Sequence, residues 1–207
     1  MLTMKIICVG RNYAAHASEL NNTVEEEPVI FMKPETALIP ARQPFFIPDH
    51  SEDVHFETEL VVRINKVGKH IEERFAHRYY DEVSLGIDFT ARDTQSKLKG
   101  KGLPWELSKG FDGSAPVGTF VPLRRFNKSV QDLKFTLHVN GELRQSGHTA
   151  DMIFSVDRII SFVSAFFTLK IGDYIFTGTP EGVGKVQAGD HLLAELEGER
   201  LLNLSVR

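Results

Sequence analysis

The run Val54-His55-Phe56-Glu57-Thr58-Glu59-Leu60-Val61-Val62 constrains the fold more than any other stretch of this chain. Successive side chains of a strand point to opposite faces. Val54, Phe56, Thr58, Leu60, Val62 and Ile64 then form one face, and His55, Glu57 and Glu59 form the other. A chain carrying this run must build a sheet and must accommodate two neighbouring carboxylates. Such charges repel unless a cation lies between them, and a hard divalent ion such as Mg²⁺ or Mn²⁺ prefers oxygen ligands. A strand with one solvated face would also carry these glutamates, so the run alone leaves both readings open.

The 207 residues suit one domain, 1–207, with a real core. A net charge of −4 indicates no basic face for nucleic acid. No apolar run approaches the roughly 20 residues needed to cross a bilayer, so no membrane association is expected. Met1 to Gly10 lacks the length and cleavage site of a signal peptide. Cys8 is the only cysteine, which excludes an intrachain disulfide and a cysteine-rich zinc site. It sits in Ile6-Ile7-Cys8-Val9 as small core filler, and a cytoplasmic location is expected.

Short strands are predicted over Lys5–Val9, Val29–Met32, Val54–Ile64, Val83–Thr90 and Asp173–Thr177. Pro34, Pro40, Pro44 and Pro48 make the intervening segment loop and edge structure. Tyr13–Leu20 suits a short helix, Asp93–Lys101 a short basic helix or turn, and Glu25-Glu26-Glu27 a solvated loop; His70–Tyr80 gives no clear assignment. Asn140-Gly141, between Leu133–Val139 and Glu142–Gln145, predicts a hairpin with a type I′ turn. Ser155 can cap a helix running from Val156 to about Thr168, with Val156, Ile159, Ile160, Val163, Phe166 and Phe167 as its core stripe. A last hairpin pairs His191–Leu196 with Leu201–Val206 across Gly198. Many short strands, few helices and no βαβ alternation predict a β-rich α+β fold.

Several clusters could carry chemistry. Asp88 lies in the apolar run Leu85-Gly86-Ile87-Asp88-Phe89, where a carboxylate needs a cation or donors. Arg92 could be a structural partner, or Asp88 could join Glu57 and Glu59 in an oxygen site for a metal. His16 and Glu19, three apart on a helix, fit both a general-base dyad and an ordinary surface pair. Lys109 follows Gly102-Leu103-Pro104-Trp105 and could hold a substrate carboxylate or oxyanion, or be solvated. Thr177-Gly178-Thr179-Pro180-Glu181-Gly182-Val183-Gly184 could offer donors to an anion or form a tight turn. No Walker motif, zinc-protease motif, nucleophile elbow or dinucleotide fingerprint is present.

Taken together, six segments resemble the fumarylacetoacetate hydrolase family, most closely its short, single-domain acylpyruvate hydrolase and oxaloacetate decarboxylase branch. They are Cys8-Val9-Gly10-Arg11-Asn12-Tyr13, Phe31-Met32-Lys33-Pro34, His55-x-Glu57-x-Glu59, Asp88 to Asp93, Lys101 to Trp105, and Thr177 to Gly184. The resemblance implies a mixed β-sandwich roll of the family's C-terminal-domain type and a homodimer. It implies one Mg²⁺ or Mn²⁺ per chain on Glu57, Glu59 and Asp88. His16 and Glu19 fall at the family's catalytic dyad, on a mobile lid over about residues 12–27. Lys109 matches the active-site lysine, and Arg92, Gln95 and Thr179 match positions that hold a substrate carboxylate. Phe56 departs from relatives that carry a second histidine there, and strand parity points it away from the metal. The implied activity is hydrolysis of the C–C bond of a 2,4-diketo acid (an acylpyruvate) to pyruvate and a carboxylic acid. The alternatives are an oxaloacetate decarboxylase or tautomerase, an isomerase or decarboxylase of the 2-hydroxyhepta-2,4-diene-1,7-dioate type, and a non-catalytic, metal-dependent 2-oxo acid binding protein.

Overall fold

The computed structural model describes residues 4–19, 25–40 and 43–207; nothing is described of the side chain of Ala17. In chain order the strands are Ile6–Gly10 (β1), Val29–Lys33 (β2), Val54–Phe56 (β3), Thr58–Ile64 (β4), Tyr80–Ile87 (β5), Thr90–Ala91 (β6), Val121–Pro122 (β7), Lys134–Val139 (β8), Glu142–His148 (β9), Tyr174–Phe176 (β10), Gly184–Lys185 (β11), His191–Leu196 (β12) and Glu199–Ser205 (β13). The helices are Ala14–Glu19 (α1), Glu73–Ala76 (α2), Arg92–Lys99 (α3), Glu106–Lys109 (α4) and Val156–Phe166 (α5).

The strands form three sheets, ordered β2-β1-β10-β4-β5-β7, β11-β3-β6 and β13-β12-β8-β9. The β1–β10 pair is parallel and the other named strand pairs are antiparallel. This strand-rich α+β arrangement agrees with the predicted class. The lid expected over about residues 12–27 lies partly outside the described residues, which omit 20–24. Among the described residues no helix is long and apolar enough to cross a membrane.

Local sequence accounts for the best-defined elements. Asn140 and Gly141 have φ of 54° and 85°, as the type I′ turn between β8 and β9 requires. Ser155 accepts the Arg158 N–H at 3.1 Å and caps α5. Val156, Ile159, Ile160 and Val163 are fully buried. The predicted stripe fails at its end, because α5 stops at Phe166 and both Phe166 and Phe167 are exposed.

Central strand β4 is covered on both sides. Leu60, Val62 and Ile64 join the main core, which includes α5 and residues of β8, β12 and β13. Val61 packs on the other face with Ile6, Cys8, Phe31 and Phe176. The expectation of one uninterrupted strand over Val54–Ile64 is corrected, since it breaks at Glu57: β3 belongs to the three-stranded sheet and β4 to the six-stranded sheet. The strand predicted over Val83–Thr90 breaks in the same way at Asp88 and Phe89, so Asp88 follows a strand instead of lying inside one. At these paired breaks the Asp88 N–H donates to the Glu57 carbonyl at 2.8 Å.

Candidate active site

The two breaks bring the acidic residues together. Glu57, Glu59 and Asp88 each present a carboxylate oxygen within 4.8 Å of the others. They are 5%, 2% and 1% exposed, which overturns the solvated-face reading of the glutamate run. They line one pocket, which is partly open to solvent. His16, Arg92, Gln95, Lys109 and Thr179 line it too, so the structure gathers these residues from across the chain. His55 is absent from that lining, and its Nε2 lies 3.0 Å from Asp53 Oδ1. Phe56 is buried in the main core, as its strand parity predicts.

Lys109 is the electrostatic centre of the group. Its Nζ donates to Glu57 Oε2 at 2.8 Å, Asp88 Oδ2 at 2.7 Å and Thr90 Oγ1 at 2.6 Å. An ammonium has three protons, so all of them are engaged. Stabilising a substrate oxyanion would require one of these bonds to be given up. Burial works against the Lys109 charge, but Asp88 and Glu57 outweigh it and hold its pKa above the ordinary value.

Arg92 does not pair with Asp88 as the sequence suggested. It donates to Glu57 Oε1 at 2.5 Å and to Gln95 Oε1 at 2.8 Å. Burial raises the Glu57 pKa, yet Lys109 and Arg92 more than compensate and hold the carboxyl well below the usual range. The second cation at Asp88 is Lys33, whose Nζ lies 2.8 Å from Asp88 Oδ1. The angle is outside hydrogen-bonding geometry, and Asp88 Oδ1 has no hydrogen-bond partner among the described residues. Lys33 instead donates to Lys109 O, Ser114 O and Ser114 Oγ, joining β2 to the end of α4. Sequence reasoning gave Lys33 no role; a charged residue closing the apolar strand Val29-Ile30-Phe31-Met32 was the available signal.

Glu59 differs from its neighbours. Its Oε2 accepts the Gly178 N–H at 2.7 Å, and among the described residues it makes no salt bridge. Burial and the nearby Asp88 charge push its pKa up, against the pull of that N–H. These observations fit a hard divalent cation: among the described residues three buried oxygen donors converge, Glu59 carries no salt bridge, and Asp88 Oδ1 accepts no hydrogen bond.

Buried Gln145 was also missed. Its Oε1 accepts the Thr58 N–H at 2.9 Å, and its Nε2 donates to Thr179 Oγ1 at 2.9 Å and to Pro180 O at 3.0 Å. It therefore satisfies backbone at the strand break and leaves the Thr179 hydroxyl proton for a ligand. Asn12 anchors the start of α1, donating to Thr177 O at 2.7 Å and to Phe154 O at 3.0 Å. On α1, His16 Nδ1 lies 3.1 Å from Glu19 Oε2, and Glu19 Oε1 accepts the Gly182 N–H at 3.1 Å. The amides of the Thr177–Gly184 loop thus serve the protein's own carboxylates.

The strand-rich α+β fold gathers a buried three-carboxylate site and the His16 of a His–Glu pair around one pocket, and residues 5–206 match the fumarylacetoacetate (FAA) hydrolase C-terminal family. The chain belongs to that family. It is 45% identical over 197 residues to an oxaloacetate tautomerase of Escherichia coli, covering 95% of this chain and 90% of the relative. It is 46% identical over 202 residues to a mitochondrial oxaloacetate tautomerase of Mus musculus, covering 98% and 91%. Among solved structures, fumarylpyruvate hydrolase from Pseudomonas aeruginosa in complex with Mn²⁺ and pyruvate superposes with a TM-score of 0.92 at 38% identity, covering 99% of this chain and 89% of that one.

Proposed function

We propose that this protein is a divalent-metal-dependent enzyme of short 2-oxo acids and that its reaction is keto–enol tautomerisation of oxaloacetate. One observation carries the reading: a Glu19-oriented His16 lines the same pocket as the carboxylate triad and Arg92. The oxaloacetate tautomerases at 45% and 46% identity favour this reaction over the hydrolysis expected from sequence.

A divalent ion such as Mg²⁺ or Mn²⁺ held by Glu57, Glu59 and Asp88 would supply Lewis acidity toward the ketone and carboxylate oxygens of such an acid. Arg92 and the Gln95 amide offer donors to its C1 carboxylate, and the bond between them fixes the amide orientation. Thr179 adds its hydroxyl proton. With Nδ1–H donating to Glu19, His16 keeps Nε2 as a proton acceptor. In ketone-to-enol conversion, Nε2 takes a proton from C3 and the imidazolium so formed gives it to the 2-oxo oxygen; the reverse reaction returns it to carbon. Lys109 holds Glu57 and Asp88 in place and keeps Glu57 ionised.

C–C hydrolysis of an acylpyruvate is the second reading, supported by the fumarylpyruvate hydrolase neighbour. There His16 would take its proton from water, hydroxide would add to the distal carbonyl, and the C3–C4 bond would break with C3 reprotonated. The test is to follow enol oxaloacetate with Mg²⁺- or Mn²⁺-loaded protein, reading the keto form and pyruvate through separate coupled dehydrogenases. EDTA-sensitive ketonisation without matching pyruvate supports the tautomerase. Ketonisation at the spontaneous rate, with acetylpyruvate cleaved, would replace it by the hydrolase.

We also propose a homodimer, supported by exposed Phe166, Phe167 and Ile171. A solution mass of 23.3 kDa would overturn it.

A further inference from the structure

The pocket carries more positive charge than a single carboxylate requires. Besides Arg92 and Lys109, it is lined by Arg11 and Lys99. Arg92, Gln95 and Lys99 stand at i, i+3 and i+7 of α3, so they share one helix face, and all three line the pocket. At 1.5 Å per residue, Lys99 starts about 10 Å along the axis from Arg92. Lys99 is exposed, which places it at the mouth. Arg11 has a φ of 60°, an uncommon conformation for a residue with a side chain. Its guanidinium pairs with Glu25 and lies 6.0 Å from the centre of the Trp105 ring, which also lines the pocket. Arg11 is therefore held on two sides. Partial burial of the amine and the nearby Arg11, Arg92 and Lys109 charges push the Lys99 pKa down, as expected for cations crowded together.

Four cations thus face the three carboxylates of the lining and Glu25, the ion-pair partner of Arg11, so a divalent ion on Glu57, Glu59 and Asp88 would leave a surplus of two positive charges. The complementary ligand carries more than one negative charge. We propose that Arg11 and Lys99 form a second carboxylate-binding pole at the pocket mouth, which selects 2-oxo diacids over 2-oxo monoacids. This rests on the reading above, in which Arg92 and Gln95 take the C1 carboxylate of a 2-oxo acid.

Binding can be read from Trp105, the only tryptophan in the chain. Mg²⁺-loaded protein is mixed by stopped flow with fresh oxaloacetate or with 2-oxobutanoate, in which a methyl replaces the distal carboxylate. The native protein is expected to bind the diacid about tenfold more tightly or better. The ratio of the two dissociation constants should collapse toward one in Lys99→Met and Arg11→Met and survive in Lys99→Arg. A native protein that binds both acids equally, or a ratio unchanged in both Met variants, overturns the pole. Equal weakening of both acids assigns Arg11 and Lys99 a packing role and also overturns it. Discrimination without turnover sinks the tautomerase reading and leaves the pole standing. Turnover without discrimination does the reverse, and binding of neither acid removes both.

Discussion

Glu19 Oε1 accepts the Gly182 N–H at 3.1 Å, which joins helix α1 to the loop that follows β10. The other oxygen of the same carboxylate faces His16, so one side chain sets both the ring orientation and the position of its helix. Glu19→Gln keeps an acceptor for Gly182 but turns an amide N–H toward His16 Nδ1. That forces the ring proton onto Nε2 and removes the base. The expected result is a fall in kcat of about 100-fold or more with an unchanged Tm. A variant with native kcat would exclude His16 as the base.

Gly182→Ala should damage stability and activity together. Gly182 has a φ of 91°, and an added Cβ would lie 2.3 Å from the Arg144 carbonyl oxygen. The loop must shift and release Glu19. Gly189 provides the control, with a φ of 98° and nothing within 4 Å of an added Cβ. Thermal melts and kcat should separate the two: Gly189→Ala loses some Tm but retains kcat, whereas Gly182→Ala loses both.

Glu59→Gln should be more stable than the native chain in metal-free buffer at neutral pH. Burial and then Asp88 raise the Glu59 pKa in the fold, so its favourable contribution is complete below the unfolded-state pKa, about 4.3. That contribution is lost as pH rises through the folded pKa. The Tm advantage of the variant should therefore grow from mildly acid to neutral pH. The same variant should lose Mn²⁺ binding by calorimetry, and native Mn²⁺ affinity should rise with pH as Glu59 sheds its proton. A pH-independent Tm difference would contradict the shift.

Removing the ammonium of Lys109 leaves Glu57 and Asp88 without their shared partner. Breaking a buried pair this way costs about 3–5 kcal/mol. Lys109→Met should accordingly melt well below the native protein without metal. A divalent ion would replace part of the missing charge, so Mn²⁺ should raise the Tm of Lys109→Met more than that of the native chain. Equal metal-induced shifts would separate Lys109 from the ion site.

Ser155→Ala tests the fold away from the pocket. Loss of the bond from the Arg158 N–H should cost about 1 kcal/mol, or roughly 2–4 °C of Tm for a chain of this size. Turnover should stay native. A matching loss of activity would mean that α5 reports to the site.

What the sequence made legible was whatever a local rule encodes. Asn140-Gly141 and Ser155 act within a few residues, and both placed their elements well. Of the nine candidate residues, Glu57, Glu59, Asp88, His16, Glu19 and Lys109 stood out by residue type and spacing, whereas Gln95 and the substrate-holding roles of Arg92 and Thr179 came from the family resemblance; all nine converge on one pocket or, for Glu19, on a residue that lines it. Long-range pairing was hidden. Arg92 was offered to Asp88 because it lies four residues away, while the actual cations, Lys33 and Lys109, come from β2 and α4. Gln145 reads as an ordinary polar position on a hairpin strand, and only the packing of three sheets shows that it serves Thr58 and Thr179. The exposure of Phe166 and Phe167 was invisible because periodicity does not register where a helix ends.

Glu57 and Asp88 occupy the two breaks where chain passes between sheets, tied by the Asp88 N–H to the Glu57 carbonyl. Their spacing is therefore written in the main chain. Point substitutions elsewhere can retune the pocket mouth while the acidic centre keeps its dimensions. A one-residue insertion between Phe56 and Leu60 would instead invert side-chain parity and take Glu59 to the wrong side. Such a chain tolerates drift in what it recognises and resists any change of reading frame within its ladder, so new substrates are reached by altering the rim.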